Sequence, residues 1–174
     1  EQYQAWGKLA PHLMWRPNTG SPAGWQQGLP DVSTMQTIEN LKFVADNHCR
    51  GVYIDSVWEH WATQGPQYYV MAQLIWNPRQ EGAAILDDYY RRGFGPAAKH
   101  VKAYFEMSER ARMAYVKEYG YGAGVLNLPS LYTDELMSRA EDQLNQAAIA
   151  GSGSSEVYRH RVEFVRAGLE FSKR

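Results

Sequence analysis

The clearest helical spacing of apolar residues begins after residue 33. Ser33 and Gln36 form a Ser-x-x-Gln capping-box pattern, which marks the start of a helix. We expect this helix to end near Asn47-His48. Its apolar positions recur every three or four residues, as expected for one buried face: Ile38, Leu41, Val44 and Ala45.

Two β-rich runs flank this helix. Residues 9–16 predict a short strand, and residues 51–55 predict a second strand that ends in Asp55. The order strand, helix, strand, with a long connection, predicts a parallel pair. Each run is followed by a predicted loop, over residues 17–33 and 56–65, and the first loop is dense in Pro and Gly.

The rest of the chain is predicted to be helical. Pro66 is the expected first residue of a helix that stops at Asn77-Pro78. Further helices are predicted over about 80–92, from Gly95-Pro96, from a Thr133 cap to about 150, and from about Ser155, with a turn at 120–130 and a flexible connector at 151–155. The expected inward positions of the last three helices are Val101, Tyr104, Phe105, Ala111, Leu136, Ala140, Leu144, Ala147, Tyr158, Val162, Val165 and Leu169.

These elements predict an α/β fold that is mostly helical. Two strands do not form a stable parallel sheet alone, since parallel sheets have several strands and helices on both faces. We therefore expect residues 1–76 to be the end of a larger β/α domain and residues 77–174 to be a C-terminal helical region. The alternative is a complete small α/β domain.

Composition and charge exclude several classes of protein. The chain has 174 residues, of which 44% are hydrophobic, so general disorder is excluded. A net charge of -1 gives no electrostatic reason to bind nucleic acid or an anionic membrane, and no apolar run is long enough to span a bilayer. One cysteine cannot form an internal disulfide, and no metal or cofactor motif is present. We therefore predict neither a metal nor a cofactor.

All six tryptophans lie in the first 76 residues. Tryptophan needs a packed ring and a partner for its N–H, so such a cluster indicates a large core or a binding surface. We expect Trp15 and Trp76 in the core. Trp25, Trp58 and Trp61 fall in the predicted loops and are the better candidates for ligand contact.

Candidate chemistry follows each predicted strand, where the active sites of β/α barrels lie. Aromatic rings can cover the C–H face of a sugar while charged and amide groups hydrogen-bond its hydroxyls, so these residue types favour a carbohydrate. The two groups are Arg16, Asn18 and Trp25 after the first strand, and Asp55, Trp58, Glu59, His60 and Trp61 after the second.

Structural interpretations of the same residues stay open. Asp55 can cap the following turn, and Arg16 can pair with a carboxylate. Glu59 can be solvated, and His60 can be a packing histidine. Later in the chain, we interpret Tyr89 as packing and Arg91-Arg92 as a solvated helix end that favours the helix dipole.

Several longer stretches together resemble a known family. They include Arg50-Gly51-Val52-Tyr53-Ile54-Asp55, Gln73-Leu74-Ile75-Trp76-Asn77-Pro78 and Gly93-Phe94-Gly95-Pro96-Ala97-Ala98. Over roughly residues 10–115 the chain resembles the bacterial domain-of-unknown-function family 4838. Those proteins are similar to α-glucuronidases and to other TIM-barrel glycoside hydrolases.

The resemblance implies that residues 1–76 are the C-terminal portion of a (β/α)8 TIM barrel. It also implies hydrolysis of a glycosidic bond, in a uronic acid or in a plant or algal polysaccharide, with Asp55 as the catalytic residue and Tyr69 among the substrate-binding residues. Glycoside hydrolysis commonly needs two carboxylates. Because no second strand-end carboxylate is present, we expect this chain to be inactive alone.

Two other functions remain as alternatives: a non-catalytic carbohydrate-binding protein, and a helical structural or interaction module. By analogy with exported polysaccharide degraders, the expected location is periplasmic or secreted. The sequence makes no prediction about the sugar, the linkage or the oligomeric state.

Overall fold

The fold is mostly helical with one small parallel sheet. The computed structural model describes residues 1–17, 28–54, 60–120 and 125–173. Its elements are α1 (Gln2–Leu9), β1 (Leu13–Trp15), α2 (Thr34–Asp46), β2 (Cys49–Val52), α3 (Trp61–Trp76), α4 (Gly82–Phe94), α5 (Ala98–Tyr119), α6 (Asp134–Gly151) and α7 (Glu156–Ser172). Short 3-10 turns at Gly95–Ala97 and Val125–Ser130 precede α5 and α6.

The two strands pair in parallel, which confirms the predicted strand, helix, strand unit. Trp15 lies beside Val52, and the Tyr53 N–H donates to the Trp15 carbonyl at 2.9 Å. β1 is shorter than predicted, and β2 begins two residues earlier than predicted and ends at Val52. Leu9 is the last residue of α1, a helix that the sequence analysis did not predict, so the strand assignment of residues 9–12 was wrong.

Helix α2 has the predicted boundaries but not the predicted cap. Ser33 is the N-cap residue, yet its side chain forms no capping bond. Instead, the Ser33 N–H donates to Gln67 Oε1 at 2.8 Å, and Gln36 Nε2 donates to Asn40 Oδ1 at 3.1 Å. Distant side chains therefore take the place of the capping box: Gln67 accepts the Ser33 N–H, and Glu109 Oε1 accepts the Met35 N–H at 2.8 Å.

Helix α3 begins at Trp61 rather than at Pro66. The Thr63 and Gln64 N–H groups donate to the His60 carbonyl at 3.2 Å and 2.9 Å, so the first turn forms before the proline. Pro66 is buried in the second turn of this helix. Because proline has no N–H, the only helical hydrogen bond lost is the one to the carbonyl of residue 62. The predicted stop at Asn77 is confirmed, since Asn77 is the C-cap residue.

The C-terminal helices follow the predicted pattern closely. Thr133 caps α6, with its side chain accepting the Leu136 N–H at 3.2 Å. The predicted flexible connector is a hydrogen-bonded turn instead: α6 extends to Gly151, and Ser154 Oγ donates to the Gly151 carbonyl at 2.6 Å. The buried members of the predicted stripes are Val101, Tyr104, Phe105, Ala140, Leu144, Ala147, Val162, Val165 and Leu169.

Three hydrophobic clusters form the interior of the described structure: two large ones and a small one of Tyr115 and Leu131. The first joins α4, α5, α6 and α7, and the second joins α2 and α3 to Ile85 of α4. Leu86 packs against both large clusters, so α4 connects them. Trp15 packs against the second cluster, but Trp76 is 89% exposed, so its prediction as a core residue was wrong. The division at residue 76 stays a prediction.

A buried ion pair fixes the segment before α2 to α5. Arg112 Nε lies 2.5 Å from Asp31 Oδ1, and both side chains are almost inaccessible. Burial raises the pKa of Asp31 to about 6, although the Arg112 charge and hydrogen bond oppose this shift. Because its folded pKa lies above its unfolded value, the contribution of Asp31 to stability falls as the pH rises through about 6.

We predict that the cost of Arg112→Met depends on pH. Without the guanidinium, nothing opposes the desolvation of Asp31, so ionising it in the interior becomes more costly. The loss in free energy of unfolding should be about 3–5 kcal/mol at pH 8 and smaller at pH 5, where Asp31 is protonated. Urea denaturation at both pH values measures this. The control is Lys102→Met, in the same helix as Arg112, which removes an exposed ion pair with Asp87 of α4. Its loss in free energy of unfolding should be small and independent of pH. An equal loss for Arg112→Met at both pH values would contradict the prediction.

We predict opposite effects of alanine at two helical glycines. A Cβ on Gly168 would lie 2.7 Å from Thr63 Cγ2 and 3.0 Å from Ala62 Cβ, whereas a Cβ on Gly93 meets nothing within 4 Å. Gly168→Ala should therefore destabilise by about 1–3 kcal/mol, and Gly93→Ala should stabilise by about 0.5–1 kcal/mol through helix propensity. Chemical denaturation of both variants tests this, and a stabilising Gly168→Ala would show that α7 is not held tightly against α3.

Candidate functional site

The structure describes four of the nine residues predicted for the site. These four are Arg16, His60, Trp61 and Tyr69. The other five predictions, namely Asn18, Trp25, Asp55, Trp58 and Glu59, lie outside the described residues.

Trp61 and Tyr69 line one open cleft of about 340 Å³ between α3, α4 and α7. Trp61 is the first residue of α3, and Tyr69 lies two turns later on the same helix. The lining from the other two helices is Asp88, Tyr89, Arg92, Gly93 and Phe94 of α4, and Arg161, Phe164 and Val165 of α7.

Aromatic rings make up much of the cleft wall. The ring of Tyr89 packs against Tyr69 and Phe94, with centroid separations of 5.4 Å and 5.7 Å. Trp61 packs edge-on against buried Tyr68 at 5.2 Å, yet 47% of its own surface is exposed. The indole is therefore fixed on one side and open to solvent on the other.

Asp88 is the centre of the polar contacts in the cleft. The Tyr69 hydroxyl donates to Asp88 Oδ2 at 3.1 Å, while Arg91 Nη2 and Arg92 Nε each lie 2.7 Å from Oδ1. Burial, and then the hydrogen bond to Asp88, raise the pKa of Tyr69. Tyr69 therefore remains a protonated donor at neutral pH, and both oxygens of Asp88 already have donors.

Arg161 is tied to the end of α4. Its Nη1 donates to the carbonyls of Arg92 and Gly93 at 3.2 Å and 3.0 Å. Carbonyls in the last turn of a helix lack intrahelical partners, and a cation is favoured there by the helix dipole. These two bonds hold the guanidinium at the edge of the cleft.

Arg16 and His60 lie outside the lining of this cleft. The guanidinium of exposed Arg16 is 5.7 Å from the Tyr53 ring centroid, in a cation–π contact beyond the ends of the strands. His60 is the N-cap residue of α3, and its Nε2 is buried without a hydrogen-bond partner among the described residues. Its Nδ1 faces Gly28. The structure thus brings Trp61 and Tyr69 together, but not Arg16 or His60.

The sequence analysis missed the residues from α4 and α7. The spacing of Asp88 and Arg92 by four residues was a usable signal, since such pairs meet on one side of a helix. Only the Arg91-Arg92 pair was interpreted from the sequence, as a solvated helix end, and Asp88 was not considered. Arg161 and Phe164 had no local signal, because only the packing of α7 against α3 and α4 brings them to the cleft.

The comparison with protein families agrees with the resemblance read from the sequence. A family model described as "Domain of unknown function (DUF4838)" matches residues 1–106. The chain belongs to this family. The DUF4838 match includes Trp61, Tyr69, Asp88 and Arg92 but ends before α6 and α7. No curated protein and no solved structure matched the chain.

Within residues 1–17, 28–54, 60–120 and 125–173, no group of three or more His, Cys, Asp or Glu side chains is placed to hold a metal ion. Over the same ranges, every helix is too short or too polar to traverse a bilayer.

We predict a measurable coupling between Tyr69 and Asp88. Tyr69→Phe, Asp88→Ala and the double variant form a cycle that isolates their hydrogen bond, which should contribute about 0.5–1.5 kcal/mol to stability. Urea denaturation of the four proteins gives the coupling energy. Additive single effects would show that the hydroxyl and the carboxylate do not interact in solution.

Proposed function

We propose that this protein is part of a glycoside hydrolase-like protein that acts on carbohydrate. The observation that carries the proposal is the cleft in which the half-exposed Trp61 indole lies beside Tyr69, Arg92 and Arg161. By analogy with polysaccharide degraders, its location would be periplasmic or secreted.

The chemistry of the cleft suits a sugar ring. A pyranose has C–H groups on its faces and hydroxyls around its rim, so it needs an aromatic surface and hydrogen-bonding groups at the edge. Trp61 provides the surface, and the two guanidinium groups are donors. The volume of about 340 Å³ is at the lower end of the range for small-molecule sites.

The sheet supports the proposal that residues 1–76 belong to a TIM barrel. The sequence of elements β1, α2, β2, α3 is that of two successive β/α units with parallel strands. Trp15 packs toward the helices, whereas Met14 on the opposite face is 69% exposed. Because parallel sheets are normally covered on both faces, the exposed face is consistent with a further covering layer, which the side chains inside a closed barrel would provide.

The proposed catalytic residue is Asp55, which follows β2 in the sequence. Strand ends of this kind carry the catalytic residues of TIM barrels. In this proposal Asp55 is one carboxylate of the pair that glycoside hydrolysis commonly needs, and the second carboxylate comes from another barrel strand.

A non-catalytic carbohydrate-binding protein is the second candidate, and Asp88 favours it. The carboxylate oxygens of Asp88 already accept from Tyr69, Arg91 and Arg92. Because both oxygens are already engaged by side chains of the protein, neither is open to a substrate. The cleft itself therefore favours binding over proton transfer, and catalysis depends on Asp55.

We predict that the 174-residue chain binds sugar without hydrolysing aryl glycosides. Methyl glycosides of neutral and uronic sugars, titrated by calorimetry, should bind the wild type and bind Trp61→Ala about tenfold more weakly, since one stacking surface is lost. Trp76→Ala is the control, because Trp76 is exposed but does not line the cleft.

The two candidate functions separate in the complete polypeptide. Asp55→Asn should abolish turnover there if the protein is a hydrolase, whereas a binding protein shows no turnover in either form. If no sugar of the panel binds the wild-type chain, a helical structural or interaction module is the better description.

A further inference from the structure

We infer that α7 completes the carbohydrate site, with Phe164 as a second stacking surface and Arg161 as a positioned hydrogen-bond donor. This inference rests on the proposed function. It assigns ligand contacts to a helix that lies outside the DUF4838 match, which ends at residue 106. The C-terminal region would then be part of the site as well as part of the fold.

Phe164 is exposed although the helix has a well-formed buried face. Val162, Val165 and Leu169 of α7 are buried in the first core cluster, whereas 51% of the Phe164 surface is accessible. Its exposed ring lines the same cleft as the exposed ring of Trp61. Two open aromatic surfaces on different helices, facing one small cleft, suit a ligand with an apolar face on each side, as a pyranose has.

Arg161 has the geometry of an oriented donor. Its Nη1 is committed to the carbonyls of Arg92 and Gly93, which fixes the plane of the guanidinium. A guanidinium carries five N–H donors and no acceptor, so these two contacts do not exhaust it. Because the oxygens of Asp88 are occupied, the cleft offers donors and selects a ligand rich in acceptors, such as hydroxyl, ring or carboxylate oxygens.

The α7 side of the cleft is held rigidly against the α3 side. Gly168, one turn beyond Phe164, lies so close to α3 that an added Cβ would be 2.7 Å from Thr63 Cγ2. Val165, which lies between Phe164 and Gly168 in the sequence, is buried. Trp61 and Phe164 are therefore presented at a fixed separation, and a preorganised site loses less free energy to ordering when a ligand binds.

The size of the cleft limits the ligand to a short one. A volume of about 340 Å³ accommodates one or two sugar rings, and the opening to solvent allows a longer chain to continue outside. The inference is therefore a site for one or two pyranose rings, with Trp61 and Phe164 on the apolar faces and Arg161 at the rim.

The experiment compares sugar binding by α7 variants of the 174-residue chain. Calorimetric titrations with methyl glycosides and disaccharides would use wild type, Phe164→Ala, Phe164→Leu and Arg161→Lys. The matched control is Val157→Ala, which truncates another exposed apolar residue of α7 that does not line the cleft. We expect about tenfold weaker binding for both Phe164 variants, since leucine keeps an apolar side chain but not the ring. Arg161→Lys should also weaken binding, because an ammonium group cannot reproduce the planar fork.

The possible results distinguish this inference from the proposed function. If the wild type binds sugar and the Phe164 and Arg161 variants bind as tightly as Val157→Ala, the role of α7 is overturned and the carbohydrate function stands. If the wild type binds none of the panel, the proposed function is overturned and the inference with it. Unchanged melting temperatures in Phe164→Leu and Arg161→Lys would show that weaker binding is not a consequence of unfolding.

Discussion

The close approach of α7 to the first turn of α3 is the constraint on which the cleft depends. Gly168 permits it, because any side chain there would meet Thr63 and Ala62. At this separation Phe164 of α7 and Trp61 of α3 line the same cleft, while Val165 and Leu169 remain in the core. A wider separation would leave Trp61 and Phe164 on unrelated surfaces.

Polar contacts between distant segments hold the other side of the structure together. Gln67 of α3 accepts the first N–H of the turn that begins α2, and the buried Arg112 of α5 pairs with Asp31 just before that turn. A hydrogen bond and an ion pair are directional, so they fix the position of α2 more precisely than apolar packing does. These contacts fix the position of the β1–α2–β2 unit relative to the C-terminal helices.

Local chemistry explains how much of the fold was predictable. Thr133 caps α6 because its side chain reaches an N–H three residues away, and the stripe that includes Leu144 is buried because helical spacing places it on one face. One failure involves a distant partner, and the other involves local bonds that the sequence does not mark. Ser33 matched a capping-box pattern, but its N–H donates to Gln67 of α3 instead. Helix α3 begins before Pro66 because the Thr63 and Gln64 N–H groups donate to the His60 carbonyl.

The residues of the candidate site were also predictable only in part. Trp61 was a candidate because aromatic residues in a loop after a strand suggest a binding surface, and Tyr69 was a candidate only through the family resemblance; the structure places both in the cleft. Phe164 lies off the predicted inward stripe of α7, so the helical spacing could predict its exposure but not what lies beside it. Only the packing of α7 against α3 and α4 places it in the wall of the cleft. The cleft in this chain therefore forms where two parts that are distant in sequence meet, and the family match contains only one of them.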